Sequence, residues 1–192
     1  MVRAARSGVK PRAFSFRENA RAGNFILTGS FPGGHHRAVS GQPMGRLGLI
    51  LPNQGVVFGA TTVGELLRMA ELADQSEVFD SVWVGDSLLA KPRMESVTLL
   101  SAIAARTHRV RLGTACMASF PLRHPIVLAA QWASLDRLAE GRTILVVCLG
   151  GGRGGVEGEF EREYEAFAIP PVERAARLEE GIEVLRLLWT TE

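Results

Sequence analysis

The sequence predicts an α/β fold in which four strands alternate with four helices, as in half of an eight-stranded (β/α) barrel. Three observations support this prediction. Short runs rich in Val, Ile and Leu lack strict apolar–polar alternation, which is typical of strands buried on both faces of a parallel sheet. Amphipathic segments with a helical period separate these runs. Glycine and proline mark the ends of both kinds of segment.

The first half of the predicted domain begins with a strand over Gly45–Pro52, which the proline ends. Thr62 and Glu65 are spaced as a capping box and place the start of the first helix. A second strand covers Phe79–Asp86, and a second helix lies near Ser96–Thr107, with its apolar side chains on one face.

The second half contains the strands Val110–Ala115 and Thr143–Leu149 on either side of a helix. Pro125 suits the first turn of this helix, and Gly141 follows its end. A last helix begins near Val172. Because a crossover of this kind joins parallel strands in a right-handed sense, all four strands end at one edge of the sheet, where chemistry is expected.

The composition is that of a globular protein: 192 residues, with 46% hydrophobic and 22% charged. No stretch approaches the roughly 18 to 20 apolar residues that a membrane span needs, so no membrane partner is expected. A complete barrel needs ~250 residues. The chain is therefore expected to be an N-terminal fragment, with a first and a fourth strand whose outer edges are open.

Residues 1–44 differ from the rest in charge and patterning. Residues 1–42 hold seven Lys or Arg and one acid, Glu18, so this leader carries +6 and the remainder −4. The leader shows no sustained period and is expected to be a disordered basic segment before a domain spanning residues 45–192. It is either a targeting peptide or, as we favour, the product of an upstream start codon. The acidic remainder argues against nucleic-acid binding.

Cys116 and Cys148, the only cysteines, each follow a predicted buried strand. We interpret them as small apolar residues of a reducing, cytoplasmic compartment rather than as a disulfide or metal pair. No metal site is expected, because the four histidines are scattered. Gly150–Gly155 formally matches a dinucleotide fingerprint, but it follows the fourth strand and precedes glutamates, so a flexible loop at the active edge is the better interpretation.

Several motifs resemble the luciferase-like monooxygenase family, which includes enzymes dependent on the deazaflavin coenzyme F420. They extend over Gly45–Trp189 and include Leu112-Gly-Thr, Leu122-Arg-His-Pro125, Ala130-Gln-Trp-Ala-Ser-Leu-Asp-Arg-Leu138 and Glu140-Gly-Arg142. The resemblance implies a TIM-barrel oxidoreductase or monooxygenase, a flavoprotein using reduced FMN or an F420 enzyme. The cofactor would lie across the mouth formed by the strand ends.

The resemblance also implies site residues. Asp86 and Ser87 are the catalytic candidates, although Ser87 stands where many members carry a histidine that acts as acid or base. For Asp86 a helix-capping or loop-ordering role is the alternative. The residues expected to contact the cofactor follow the four strand ends: Asn53, Asp86, Met117, Ala118 and Gly150. A non-prolyl cis peptide is expected within Met117–Ser119.

One departure from the family pattern concerns the fourth strand, where Val146-Val147-Cys148 replaces Gly-Val-Gly and is expected to crowd the cofactor. The leading hypothesis is an oxidoreductase acting on a small-molecule substrate, present as its N-terminal half. The alternative is a non-catalytic, degenerate half-barrel that acts through dimerisation or partner binding. In either case we expect a homo-oligomer or association with a second barrel half, because a lone parallel sheet exposes edges and apolar faces.

Overall fold

The computed structural model describes residues 14–19, 24–29, 47–150 and 158–190, and for the first two segments only the backbone. It contains one six-stranded sheet in the order β1-β2-β6-β5-β4-β3. The strands are β1 (Phe14–Asn19), β2 (Asn24–Gly29), β3 (Leu47–Leu51), β4 (Phe79–Val84), β5 (Arg111–Thr114) and β6 (Thr143–Val147). The helices are α1 (Val63–Gln75), α2 (Ser96–Ala104), α3 (Pro125–Leu138), α4 (Glu159–Ala166) and α5 (Arg174–Thr190).

The strands β3 to β6 form the parallel α/β unit that the sequence predicts. The helices α1, α2, α3 and α5 occur where the periodicity places them, and short 3-10 turns precede α3 and α5. The capping box is present: the Glu65 amide donates to Thr62 Oγ1 at 3.2 Å, and the Thr62 amide donates to Glu65 Oε2 at 2.7 Å. Within the described residues, no helix combines the length and apolarity that a membrane span requires.

One face of the parallel sheet packs against the helices and forms the core. Leu51, Val82, Val84, Leu112 and Leu145 extend from the strands and are at most 1% exposed. They belong to one cluster with helical side chains, including Leu66, Leu100, Ile103, Leu128, Trp132, Leu135, Leu178 and Leu185. Burial of each large aliphatic side chain stabilises the fold by roughly 1.5–3 kcal/mol.

The other face is less covered. Ile50, Trp83, Gly113 and Ile144 form one row across the four strands. Trp83 lies over Gly113 and over Gly48 in the neighbouring row, where an added Cβ would meet the Trp83 Nε1 at 2.5 Å. Both glycines therefore leave room for one large ring on this face, while Ile50 at the end of the row is 63% exposed.

The first two strands lie within the range 1–44, for which the sequence predicts disorder, and the structure differs from that expectation at these segments. β1 and β2 form an antiparallel hairpin, and β2 pairs antiparallel with β6. The outer edge of the fourth parallel strand, β6, was expected to be open, but β2 covers it. The other residues before Leu47 lie outside the described part of the chain. The domain boundary near residue 44 therefore stays a prediction.

Two further expectations are corrected. A fifth helix, α4, follows the glycine-rich segment, whose predicted flexibility falls on residues 151–157 outside the described residues. Cys116 and Cys148 form a disulfide, contrary to their interpretation as free thiols. Because β5 and β6 are neighbours, the two Cα atoms lie 6.1 Å apart, within the range that a disulfide spans.

The disulfide predicts a redox-dependent stability. The Cys148→Ala variant should lose about 3–4 kcal/mol of unfolding free energy, since the crosslink closes a long loop of the unfolded chain. Urea denaturation without reductant measures the change. Adding dithiothreitol to the unaltered protein should lower its midpoint to that of the variant, whose own midpoint should not respond. A reductant-insensitive midpoint for the unaltered protein would contradict the prediction.

Candidate functional site

The carboxyl ends of the four parallel strands bring most of the predicted site residues to one edge of the sheet. Asn53 follows β3 and is 2% exposed. Its amide nitrogen donates to the carbonyl oxygens of Gly85 at 2.9 Å and Met94 at 3.1 Å, and its Oδ1 accepts from the Gly85 amide at 3.2 Å. These bonds join the end of β3 to the loop that follows β4. The predicted contact of Asn53 with a cofactor stays a prediction.

Asp86 follows β4 and is the centre of a buried polar network. Its Oδ1 accepts from Ser96 Oγ at 2.7 Å and from Arg123 Nη2 at 3.0 Å. Its Oδ2 accepts from the amide and the hydroxyl of Ser119, at 2.8 and 2.6 Å. Both carboxylate oxygens are thus used to hold α2 and the loop after β5 against the strand ends. This geometry favours the loop-ordering alternative over direct contact with a ligand.

Arg123 links Asp86 to a second carboxylate. Its Nη2 lies 2.9 Å from Glu95 Oε1, and its Nε donates to Ser119 Oγ at 2.8 Å. Glu95 also caps α2 by accepting from the amides of Val97 and Thr98. Burial raises the pKa of Glu95, but these amides and the Arg123 charge outweigh that effect and hold the pKa below its ordinary value. The arginine therefore lies between two carboxylates and contributes to the lowered pKa of Glu95.

Ser87 is buried, and its described contacts lie within the protein. Its Oγ accepts from the Lys91 amide at 2.9 Å. Glu163 of α4 accepts from the amides of Leu88 and Leu89, at 2.9 and 2.7 Å, and lies 3.5 Å from Ser87 Oγ. One carboxylate thereby anchors α4 on the loop after β4. A catalytic role for Ser87 stays a prediction.

The predicted residues after β5 and β6 fall into two groups. Met117 is fully buried and continues the pairing with β6, so its side chain is part of the core. Ala118 and Gly150 lie beside each other: a Cβ at Gly150 would be 3.0 Å from the Ala118 carbonyl oxygen, and the φ of +67° also favours glycine. These two small residues remain available at the edge, and their cofactor contacts stay predictions.

A non-prolyl cis peptide follows β5, but it joins Ala115 to Cys116 rather than lying within Met117–Ser119. Ala115 is exposed at the edge. The disulfide from Cys116 reaches Cys148, the last residue of the Val146-Val147-Cys148 segment. One of the side chains expected to crowd the cofactor is thus tied to the neighbouring strand end.

A cavity of about 430 Å³ opens at this edge. Its lining comes from the β3 end and following turn, the β4 end and the β5 end: Ile50, Leu51, Pro52, Asn53, Gln54, Gly55, Phe58, Ala60, Gly85, Arg93 and Ala115. The volume is within the range of small-molecule sites, and mostly apolar walls with a few polar groups are typical of them. Among the described residues, no cluster of three or more potential metal ligands occurs.

Arg93 and Ala115 line this cavity and were not among the predicted site residues. The position of Ala115 at the end of β5 was a usable signal, because parallel strands present their last residues at the same edge. Arg93 had a weaker signal, a basic residue in the loop after β4. Its direction depends on loop conformation, which periodicity does not predict.

The network around Asp86 predicts a large stability effect. Asp86→Ala should lose about 3–5 kcal/mol, the cost of removing one partner of a buried charge pair. Urea denaturation measures the loss. The control is Asp80→Asn, near the start of the strand β4 that Asp86 follows, and it should change stability by at most ~0.5 kcal/mol. Equal midpoints for the two variants would contradict the structural role of Asp86.

Curated proteins similar to this chain include two bacterial enzymes. An F420-dependent glucose-6-phosphate dehydrogenase of Amycolatopsis mediterranei (strain U-32) is 36% identical over 122 residues, covering 59% of this chain and 34% of that enzyme. A 4-hydroxyprotoasukamycin monooxygenase of Streptomyces nodosus subsp. asukaensis is 33% identical over 126 residues, covering 65% of this chain and 31% of that enzyme. The chain thus spans about a third of the length of these relatives.

Solved structures share the fold. A monooxygenase from Streptomyces bottropensis aligns with a TM-score of 0.60 and 34% identity, over 77% of this chain and 44% of that one. An F420-dependent secondary alcohol dehydrogenase, in complex with an F420-acetone adduct, aligns at 0.57 with 19% identity, over 77% of this chain and 42% of that one. The second likeness concerns the fold alone. Residues 41–192 match the luciferase-like monooxygenase family, and the chain belongs to that family.

Proposed function

We propose that this chain supplies the N-terminal half of the active site of an oxidoreductase that uses reduced FMN or F420. The supporting observation is the cavity at the carboxyl edge, bounded by Asn53, Gly85 and Ala115. In a barrel of this type the C-terminal edge is the catalytic edge. Relatives named for F420 dependence, and the family itself, support the class of cofactor.

The residues at the edge suit a flat ring system. Ala115 adds only a methyl group, and Ala118 and Gly150 lie beside each other nearby. When bound, the reduced cofactor supplies a hydride, or in the case of flavin the electrons for oxygen chemistry. The protein orients the ring against these small residues and keeps water from it.

In this proposal, the polar groups at the carboxyl edge of the sheet orient the substrate. Asp86 acts as a positioning residue in this proposal, because its carboxylate fixes Ser119 and Arg123 beneath the mouth. Ser87 orders the loop through the Lys91 amide, so any proton transfer falls to another group. The cofactor tail is proposed to bind to a second half-barrel, in the same polypeptide or another copy.

A non-catalytic half-barrel that acts by association is the second candidate. The observation that favours it is exposed apolar surface: Ile50 on the less covered face of the sheet is 63% exposed, and Leu47 of the edge strand β3 is 51% exposed. Such apolar surface is normally covered in a stable assembly. Light scattering of the purified chain tests this: a stable monomer that binds cofactor favours the first candidate, and an oligomer that binds none favours the second.

The proposed cofactor binding can be tested by a fluorescence titration. Fluorescence of FMN or F420 should change saturably on addition of the full chain, and Ala115→Leu should weaken binding about tenfold or more, because overpacking the cavity costs ~1–3 kcal/mol. Ala105→Leu, at the exposed end of α2, is the matched control and should bind as the unaltered protein does. If neither cofactor responds, the oxidoreductase proposal is wrong.

A further inference from the structure

Arg93 extends from the loop after β4 to the wall of the cavity. A Cβ placed on Gly85 would clash with Arg93 Nη1, so the guanidinium occupies the space that a side chain at position 85 would otherwise fill. Asn53 holds the Gly85 backbone with two hydrogen bonds. The guanidinium is therefore seated on a fixed strand end rather than on a free loop.

The hydrogen bonds of Arg93 leave most of its donors unused. Its Nε donates to the Lys91 carbonyl oxygen at 3.0 Å. Within the described part of the chain, Nη1 and Nη2 have no hydrogen-bond acceptor, and no carboxylate lies within ion-pair distance of them. No buried side-chain nitrogen or oxygen lacks a partner among these residues, so the terminal nitrogens of Arg93 are accessible, and Arg93 is one of the residues that line the cavity.

Nearby acids do not use these donors. The charge of Asp86 acts on Arg93, but the two oxygens of Asp86 are taken by Ser96, Ser119 and Arg123. Burial lowers the pKa of Arg93, and the charge of Asp86 opposes that effect. The side chain stays a cation in the physiological range, because an arginine is effectively always protonated. Charged donors without a protein acceptor among the described residues thus lie at the wall of the cavity.

The lining also includes apolar side chains. They are Ile50, Pro52 and Phe58, of which Phe58 is 69% exposed. A cavity of about 430 Å³ holds an organic molecule of modest size. The arrangement is that of a site with one cationic end and one apolar wall.

We propose that Arg93 is a substrate-binding residue, and that the substrate is an organic molecule with an anionic oxygen group joined to an apolar body. The planar fork of arginine matches two oxygens of a carboxylate or a phosphate. The apolar body lies against Ile50, Pro52 and Phe58. This inference rests on the proposed oxidoreductase function, for which it names the class of substrate.

Saturation-transfer NMR on the full chain tests the proposal with three probes: benzoate, phenyl phosphate and benzyl alcohol. They share an aromatic body and differ in the polar group. At least one of the two anions should bind about tenfold or more tightly than the alcohol, because a charged hydrogen bond is lost with the neutral probe. The anion that binds more tightly shows whether the site prefers a carboxylate or a phosphate.

Variants locate the effect. Arg93→Met should bind the anions no better than the alcohol, and Gly85→Ala should have the same consequence by displacing the guanidinium. Arg68→Met is the matched control, since Arg68 lies on α1 and forms a surface ion pair with Glu71, and it should retain the preference. Circular dichroism verifies that each variant is folded. If Arg93→Met does not fold, Arg93→Lys, which keeps the positive charge, provides a second test.

Equal binding of anions and alcohol by the unaltered protein, or an unchanged preference in Arg93→Met, would overturn the proposal. So would the absence of any anion binding. The cofactor titration described above is separate from this test. Cofactor binding without anion binding rejects the substrate class alone, whereas anion binding without cofactor binding rejects the oxidoreductase function and leaves Arg93 as an anion site.

Discussion

The carboxylate of Asp86 is the constraint on which the candidate site depends. It is buried, and four donors from Ser96, Ser119 and Arg123 surround it. A buried charge without such donors is costly, so the loop after β5 and the start of α2 must both reach the end of β4. The positions of Ser119 and Arg123 after β5, and of Ser96 at the start of α2, meet that requirement. A side chain that first suggests catalysis thus acts by fixing the shape of the mouth.

Much of the parallel unit could be predicted, because local signals and tertiary structure agree there. Thr62 and Glu65 place the start of α1, Pro125 places that of α3, and the buried stripe of α5 recurs with the helical period. The four strands were recognisable from apolar runs. Their shared edge then followed from the handedness of the crossovers, which is a rule of topology rather than of individual residues.

The rest depended on contacts that sequence spacing does not encode. The disulfide requires Cys116 and Cys148 to end neighbouring strands in register, which becomes visible only once the sheet order is known. The acidic segment of α4 has few apolar residues, and its docking relies on Glu163 accepting backbone amides from a distant loop. Arg93 was missed for a similar reason, since its direction is set by Gly85 and the loop around it.

The hairpin of β1 and β2 has a consequence for assembly. Residues Ile144–Val147 of β6 direct their outer backbone groups to β2, in an antiparallel register from Thr28 to Phe25. One edge of a strand accommodates one neighbour. A closed barrel would place a fifth parallel strand on that same edge, so the hairpin and such a strand compete for it. Ring closure at β6 is therefore a strand-exchange reaction, in which β2 must leave before another strand can pair.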